Sequence, residues 1–421
     1  MSPAPLGAAG RTAFLVDLSD GEAPVWLSGA LVSGETVAFR AEAGHRYLAA
    51  SESGLLAAEV RFPQATALRR AANEADWVVI APREFAGAAE TLAAQRRSQG
   101  LLTRVVAVEE VFEAFGGGER RPEAIRDFLA FAFHEWRRGP RYALLLGDAS
   151  YDPRDYLATG IPSHVPTPTA RTSFLWTAAD PLLAAVNGED RLPDLALGRL
   201  PASSAEQAEA LVAKLIAYEQ SGYSPALGRA VVVADNPDLA GDFDADASAI
   251  AEALGASREV ETIRLSALGR SGTRSAVLGA FDAGASLMSY LGHGGSVLWA
   301  SENVFNVWDV AALAPQPEQP LLLTLNCLNG YFTMPDFDSL AEAAVKAEGR
   351  GAIAAFSPSA MSYNHAARLY HQALLAALGS GANRRLGDAV LAAQVAYANS
   401  GAFPELLAVY HLFADPGMPL R

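Results

Sequence analysis

The sequence contains a single cysteine, Cys327, among 421 residues. One cysteine cannot form an intramolecular disulfide, so a disulfide framework is excluded as the source of stability. Cys327 together with a single histidine would also supply only two of the four ligands of a closed structural zinc site. Taken alone, a lone cysteine is usually a small core residue or a surface residue without a role. Its local context decides which chemistry it serves.

The chain also lacks runs of lysine and arginine, and its formal net charge is -15. A nucleic-acid partner is therefore not expected. There is no apolar stretch of roughly 18 residues, so no membrane span is predicted. Residues 1–5 show no basic segment leading into an apolar one, and a signal peptide is not predicted. With 51% hydrophobic residues, the chain has enough apolar side chains for a large globular core.

The order of the apolar segments predicts an α/β fold. Residues 1–70 alternate with a period of two, which indicates a short N-terminal β segment. Residues 71–222 and 223–421 each alternate buried strands with helices, which favours parallel sheets with helices on both faces, in two side-by-side subdomains. Residues 149–194 are predicted as a long loop. The predicted strands include 77–81, 102–108, 142–146, 229–235, 259–264, 285–291, 320–325 and 351–356, and the predicted helices include 88–99, 122–138, 203–221, 244–255, 271–283, 338–348, 363–379 and 384–399.

Two of these strands lead directly into reactive side chains. The strand at 285–291 is followed by His293, and the strand at 320–325 is followed by Cys327. Functional residues of open parallel sheets lie beyond the carboxyl ends of the strands, so neighbouring strands would bring this thiol and imidazole together. A histidine beside a thiol favours the thiolate and can protonate a leaving amine. The pattern predicts a cysteine nucleophile with a histidine base; the alternatives are a hydrogen-bonded loop histidine and an inert buried thiol.

Glycines on both sides of the histidine fit the same chemistry. Gly292 and Gly294 have no side chains, so a substrate backbone can approach closely. The N–H groups of Gly294 and Cys327 are predicted to form an oxyanion hole.

Five ordered blocks carry a resemblance to a known family. They are 142–148 (YALLLGD), 190–199 (DRLPDLALGR), 290–294 (YLGHG), 325–330 (LNCLNG) and 412–416 (LFADP). With these blocks, residues 75–420 resemble the gingipain family of cysteine peptidases, which are related to the caspases by fold. The resemblance implies a caspase-like fold, His293 and Cys327 as the catalytic pair, and peptide hydrolysis through a thioester that requires no cofactor.

The resemblance also implies roles for residues around this pair. The family uses an acidic residue to orient its histidine, and the nearest match is Asp180; a turn or capping role is the alternative. Arginine-specific members hold the basic side chain of the substrate with an aspartate that matches Asp190. Glu189 and Asp194 compete for that role, and a solvated turn explains all three. Trp299 matches a tryptophan of the specificity pocket, unless it packs in the core.

Some family members bind calcium, which leaves structural calcium open for this chain. The candidate oxygen ligands are Asp235, Asp242, Asp244 and Asp246, with Asp148 and Asp152 as weaker ones. Their spacing fits no EF-hand, and a solvated acidic loop is the alternative.

The expected partner is a protein or peptide substrate, with a secreted or cell-surface location implied by the family. Two other functions share the scaffold. In a transpeptidase an amine would resolve the thioester, and a binding or assembly module would carry out no catalysis. The sequence predicts no oligomeric state.

Overall fold

The computed structural model describes residues 13–33, 36–55, 66–222, 224–316 and 318–421. The chain divides into two compact units, Met1–Phe62 and Pro63–Arg421. This division falls a few residues before the predicted end of the N-terminal segment at residue 70. Residues 1–12 and 56–65 of that segment lie outside the described residues.

The N-terminal unit consists of short antiparallel strands, as its period-two pattern predicts. The central strand β1 pairs on one side with β2 and on the other with β5, while β3 and β4 form a hairpin. The strands are β1 (Ala13–Asp17), β2 (Val25–Trp26), β3 (Leu31–Ser33), β4 (Thr36–Ala38) and β5 (Tyr47–Ser51).

The larger unit begins with a four-stranded parallel sheet in the order β11–β8–β6–β7. Every residue of β6 and β8 is buried, because helices cover both faces and the strands are continuous apolar runs. A hairpin, β9 with β10, lies in the segment predicted as a loop. The strands are β6 (Trp77–Ala81), β7 (Thr103–Ala107), β8 (Tyr142–Leu146), β9 (Thr169–Arg171), β10 (Trp176–Ala178) and β11 (Ala196–Leu200).

A second, six-stranded sheet follows in the order β13–β12–β14–β18–β19–β20. Its first five strands are parallel and the edge strand β20 is antiparallel. A small sheet of β15, β16 and β17 stands beside it. The strands are β12 (Arg229–Ala234), β13 (Glu259–Arg264), β14 (Leu287–Leu291), β15 (Gly294–Gly295), β16 (Leu298–Trp299), β17 (Phe305–Asn306), β18 (Leu321–Leu325), β19 (Ala354–Pro358) and β20 (Tyr410–Phe413).

The helices agree with the predicted ones to within a few residues, with two exceptions. The segment after β13 becomes helical at Leu265, earlier than predicted, with a break at Gly269, whose φ is 64°. The short helices α2, α7 and α11 were not predicted. None of the helices in the described ranges is long and apolar enough to cross a membrane. The helices are α1 (Ala86–Ser98), α2 (Val108–Phe115), α3 (Pro122–Glu135), α4 (Ala205–Gln220), α5 (Phe243–Gly255), α6 (Leu265–Ala283), α7 (Val307–Ala312), α8 (Leu340–Lys346), α9 (Asn364–Gly379), α10 (Leu386–Asn399) and α11 (Leu406–Val409).

The two sheets share one apolar core, to which strands of both contribute. They meet where β11 passes the end of β20. A Cβ atom added at Gly198 would lie 2.2 Å from the carbonyl oxygen of Ala414, so only glycine allows this approach. The side-by-side arrangement predicted from the sequence is therefore present, within one compact unit.

Candidate active site

The two strands that lead into the candidate catalytic residues are direct neighbours. β14 pairs with β18 in parallel, and Leu291 is the register partner of Leu325. His293 and Cys327 each lie two residues beyond this last pair. The sheet therefore delivers both side chains to the same edge at the same height, as the sequence predicts.

The loops that carry these residues are in close contact. A Cβ atom at Gly294 would lie 2.2 Å from the amide nitrogen of Asn326 and 3.0 Å from the carbonyl oxygen of Cys327. A side chain at Gly294 would thus force the histidine loop and the cysteine loop apart. Glycine is needed here for packing between the loops, before any substrate is considered.

A buried amide network fixes the relative position of the two loops. The Asn329 side chain, on the cysteine loop, donates to the carbonyl oxygens of Gly295 (2.6 Å) and Leu298 (3.2 Å) on the histidine side. Its Oδ1 accepts hydrogen bonds from the indole of Trp299 (2.8 Å) and the amide of Asn326 (2.5 Å). Because an indole N–H can only donate, it fixes which end of the Asn329 amide is oxygen.

The histidine is held by two carboxylates. Its Nε2 lies 2.8 Å from Oδ2 of Asp238, and its backbone N–H donates to Oδ2 of Asp235 at 2.9 Å. The imidazole packs edge-on against Phe243, with ring centroids 5.7 Å apart. Hydrogen bonding from the imidazole lowers the pKa of Asp238, whereas burial raises the pKa of Asp235. With Nε2 occupied, Nδ1 is the ring nitrogen that remains for proton exchange.

The thiol of Cys327 is half-buried at the end of β18. Its hydrogen bond is to the carbonyl oxygen of Ser362, at 4.0 Å. Burial raises the pKa of the thiol, so an adjacent base is needed to generate the thiolate. The next residue, Leu328, has a left-handed φ of 63°, a conformation that is costly for a residue with a Cβ and that turns the chain sharply.

The structure corrects the role predicted for Asp180. This aspartate is buried and forms a two-pronged ion pair with Arg199, at 2.7 and 2.8 Å. Burial alone would raise its pKa, but the guanidinium outweighs burial and the pKa is lowered. The carboxylate on the imidazole of His293 belongs to Asp238 instead.

Trp299 and Gly292 also differ from their predicted roles in substrate binding. Trp299 is fully buried and stacks on Tyr290, with ring centroids 4.4 Å apart, so the core alternative is the correct one. Gly292 is buried as well, and a Cβ atom there would lie 2.3 Å from the Cβ of Asp235. Both residues support the histidine loop from behind.

Asp190 lies in an exposed turn, where its carboxylate accepts the backbone N–H of Leu192 at 3.0 Å. Asp194, one of its competitors, accepts the N–H groups of Val186 (2.8 Å) and Asn187 (2.7 Å). The structure therefore gives Asp194 a local structural role and leaves Asp190 and Glu189 at the surface.

The aspartates considered as calcium ligands have separate partners. Asp242 caps α5 through the N–H of Ala245 (2.9 Å), and Asp244 accepts the hydroxyl of Ser266 (2.6 Å). Asp246 accepts the amide of Asn364 at 3.0 Å. Within the described ranges, no three histidine, cysteine or acidic side chains are grouped so that they could hold a metal ion. The aspartates do not fit a shared calcium site.

Asp148 and Asp152, the weaker calcium candidates, are also engaged elsewhere. Asp148 lies 3.6 Å from Nζ of Lys346, and Asp152 accepts the backbone N–H of Leu157 at 2.7 Å. Neither carboxylate adds to a metal-binding group.

Sequence reasoning missed Asp238 as a partner of the histidine. The signal was available, because β12 is the other neighbour of β14 and ends at Ala234. The rule that located His293 and Cys327 also places residues 235–238 at this edge of the sheet.

Comparisons with known proteins agree with this geometry. A model of peptidase family C25 matches residues 70–421. Gingipain R2 of Porphyromonas gingivalis is 24% identical over 283 residues, which make up 65% of this chain and 35% of that protein. For gingipain R1 of the same species the identity is also 24%, covering 26% of its length. The chain thus spans about a third or less of these curated relatives.

Solved structures show the same fold. The Arg-specific cysteine proteinase gingipain R matches with a TM-score of 0.69 at 19% identity, covering 85% of this chain and 80% of that one. The complex of the pro- and mature domains of RgpB from Porphyromonas gingivalis matches with a TM-score of 0.68 at 20% identity, covering 82% and 79%. The fold is therefore caspase-like, as predicted. The family match covers most of the sequence, and the chain belongs to peptidase family C25, the gingipain-type cysteine peptidases.

Proposed function

We propose that this chain is a cysteine endopeptidase in which Cys327 is the nucleophile, His293 the proton carrier and Asp238 the residue that positions the imidazole. One observation carries the proposal: neighbouring parallel strands place the thiol and the imidazole at equivalent positions beyond a shared register pair. The contact between Gly294 and the cysteine loop supports it, because that contact keeps the two loops together.

The reaction would begin when the Cys327 thiol gives up its proton to Nδ1 of His293 and Sγ attacks the scissile carbonyl carbon. The new C–S bond leaves a tetrahedral oxyanion. As this intermediate collapses, the C–N bond breaks and Nδ1–H of His293 protonates the leaving amine. Water then attacks the thioester and loses a proton to the imidazole, which releases the acid and restores the thiol. Asp238 would stabilise the imidazolium through Nε2.

The oxyanion would be bound by the backbone N–H groups of Gly294 and Cys327. The direct contact between the loops that carry these two residues supports this assignment. In other enzymes, removing one oxyanion donor costs about 3–4 kcal/mol of transition-state stabilisation.

The substrate would be a protein or peptide, and the compartment would be extracellular or cell-surface, as in the family. A preference for a basic side chain before the scissile bond is part of the proposal. Its support is the Arg specificity in the name of the similar gingipain R and the exposed carboxylates of Glu189 and Asp190.

The mechanism is tested with a positional-scanning peptide library and the variants Cys327→Ala and His293→Ala. Both should lose at least ~10³-fold in kcat/KM. His365→Ala is the matched control, because His365 is an exposed histidine of α9 without an assigned role, and it should cleave like the wild type. Cleavage that survives Cys327→Ala would remove the proposed mechanism.

The specificity is tested separately with Asp190→Asn. The variant should lose roughly 10-fold or more on peptides with arginine or lysine before the scissile bond, because the amide lacks the negative charge that strengthens a hydrogen bond to a cation. Peptides with leucine at that position are the control. Equal losses on all peptides would contradict a charge-recognition role for Asp190 and leave the mechanism standing.

A further inference from the structure

A cavity of about 750 Å³ lies beside the candidate active site, between α7, α8 and the loops next to them. Its size is in the range of small-molecule sites. Val297 in its wall belongs to the hairpin that follows His293, and Phe337 belongs to the loop that follows Cys327. The cavity is thus formed by the continuations of both catalytic loops but contains neither catalytic residue.

The walls of this cavity are mainly apolar. Val307 and Val310 of α7 face Ala343 of α8 across it. Two large aromatic side chains border it while remaining in contact with solvent: Trp308 is 68% exposed and Phe337 is 40% exposed. Exposed aromatic rings beside an apolar hollow offer faces on which a flat ring can stack.

Of the two basic side chains that line the cavity, one has carboxylate partners and the other has none within the described ranges. Lys346 is surrounded by carboxylates, with Asp338 at 2.6 Å and Glu342 at 3.3 Å. Arg350 donates from Nη1 to the carbonyl oxygen of Leu313 (3.3 Å), and within the described part of the chain no carboxylate pairs with its guanidinium. A guanidinium without a carboxylate partner can form charge-assisted hydrogen bonds with an acidic group of a ligand.

We propose that this cavity binds an aromatic organic anion, with the ring system between the apolar walls and the acidic group on the guanidinium of Arg350. The volume, the exposed aromatic borders and the unpaired guanidinium of Arg350 each favour this class of ligand. The proposal concerns binding alone, so it does not depend on the peptidase function.

Two fluorescent probes of nearly the same shape test it. One is 8-anilinonaphthalene-1-sulfonate, and the other is N-phenyl-1-naphthylamine, which lacks the sulfonate. The wild-type protein should bind the anionic probe saturably at one site, at least 10-fold more tightly than the neutral probe. Arg350→Gln should abolish this difference by weakening the anionic probe alone.

Two neighbouring alanines of α7 provide a matched pair of variants. Ala311 lines the cavity and Ala312 does not, and both are exposed, so a tryptophan is tolerated at either position. Ala311→Trp should fill the cavity and weaken both probes at least 10-fold, whereas Ala312→Trp should bind them like the wild type. Equal binding by the two variants, or an anion preference that persists in Arg350→Gln, would overturn the proposal. Near-UV circular dichroism verifies that each variant is folded.

Discussion

The imidazole of His293 and the carboxylate of Asp238 form a 2.8 Å contact in which both side chains are about half exposed. The buried carboxylate of Asp180 has no part in it and is bound by Arg199. The two aspartates therefore serve different purposes. In the proposed mechanism Asp238 positions the proton carrier, whereas Asp180 stabilises the fold through its ion pair with Arg199.

Asp238→Asn should lower kcat/KM roughly 3- to 10-fold, the range expected when an exposed charged partner is lost. The pH–rate profile should change with it, because the amide cannot stabilise the imidazolium as a carboxylate does. Asp242→Asn, four residues further along, is the control, since asparagine caps a helix as well as aspartate does and the variant should keep both its stability and its kcat/KM. An Asp238→Asn enzyme with an unaltered pH profile would rule out this positioning role.

Asp180→Asn should lower the free energy of unfolding by about 3–5 kcal/mol, because it leaves the guanidinium of Arg199 buried without its counter-ion. The lowered pKa of Asp180 means that its stabilising effect is complete above the unfolded value near 4 and is lost as the pH falls through the folded value. Chemical denaturation measures the loss. Folded molecules of the variant should retain wild-type kcat/KM, and a selective loss of activity would restore a catalytic role for Asp180.

Asn329→Ala should impair stability and activity together. The substitution removes two donors and one acceptor from a fully buried network, at a cost of about 2–4 kcal/mol in unfolding free energy. It also releases the cysteine loop from the histidine loop, so kcat/KM should fall on the order of 10²-fold. Asn383→Ala, which removes two amide hydrogen bonds near the end of α9, is the control. Wild-type kcat/KM in folded Asn329→Ala would show that the network does not position the loops.

Acid should destabilise the protein between pH 6.5 and about 4. Burial lowers the pKa of His371 and His411 to about 4, so in this window the unfolded chain binds protons that the folded chain does not. Each histidine should account for roughly 3 kcal/mol over the window. His371 shares a hydrogen bond with Ser289 on β14, at 3.1 Å. In His371→Gln the fall in unfolding free energy from pH 6.5 to 4 should be smaller than in the wild type by roughly 3 kcal/mol, and an unchanged slope would contradict this.

Much of the catalytic sheet was predictable because its central strands are continuous apolar runs. Such runs are buried on both faces, and successive parallel strands bring the residues after them to one edge. This is why the positions of His293 and Cys327 agree with the prediction. The hairpin of β9 and β10 was missed because its strands are three residues long and lie among prolines, threonines and aspartates.

Partners that depend on side-chain contacts could not be predicted in the same way. Asp180 was assigned from its place in a family pattern, but its partner Arg199 lies on β11, and only the folded sheet brings them together. The role of Trp299 depended on which side of a two-residue strand faces the core. Burial and pairing of this kind are set by tertiary packing, which local patterns do not record.

The contact between Asp415 and the first sheet determines when the core can fold during translation. Asp415 accepts the indole N–H of Trp77, 338 residues earlier, and the guanidinium of Arg96. While residue 415 is still inside the exit tunnel, Arg96 of α1 lacks one of its two carboxylate partners, Trp77 lacks its acceptor, and the edge strand β20 is missing. Completion of the peptidase core must therefore wait until residue 415 has left the exit tunnel, so the active centre cannot be completed before then.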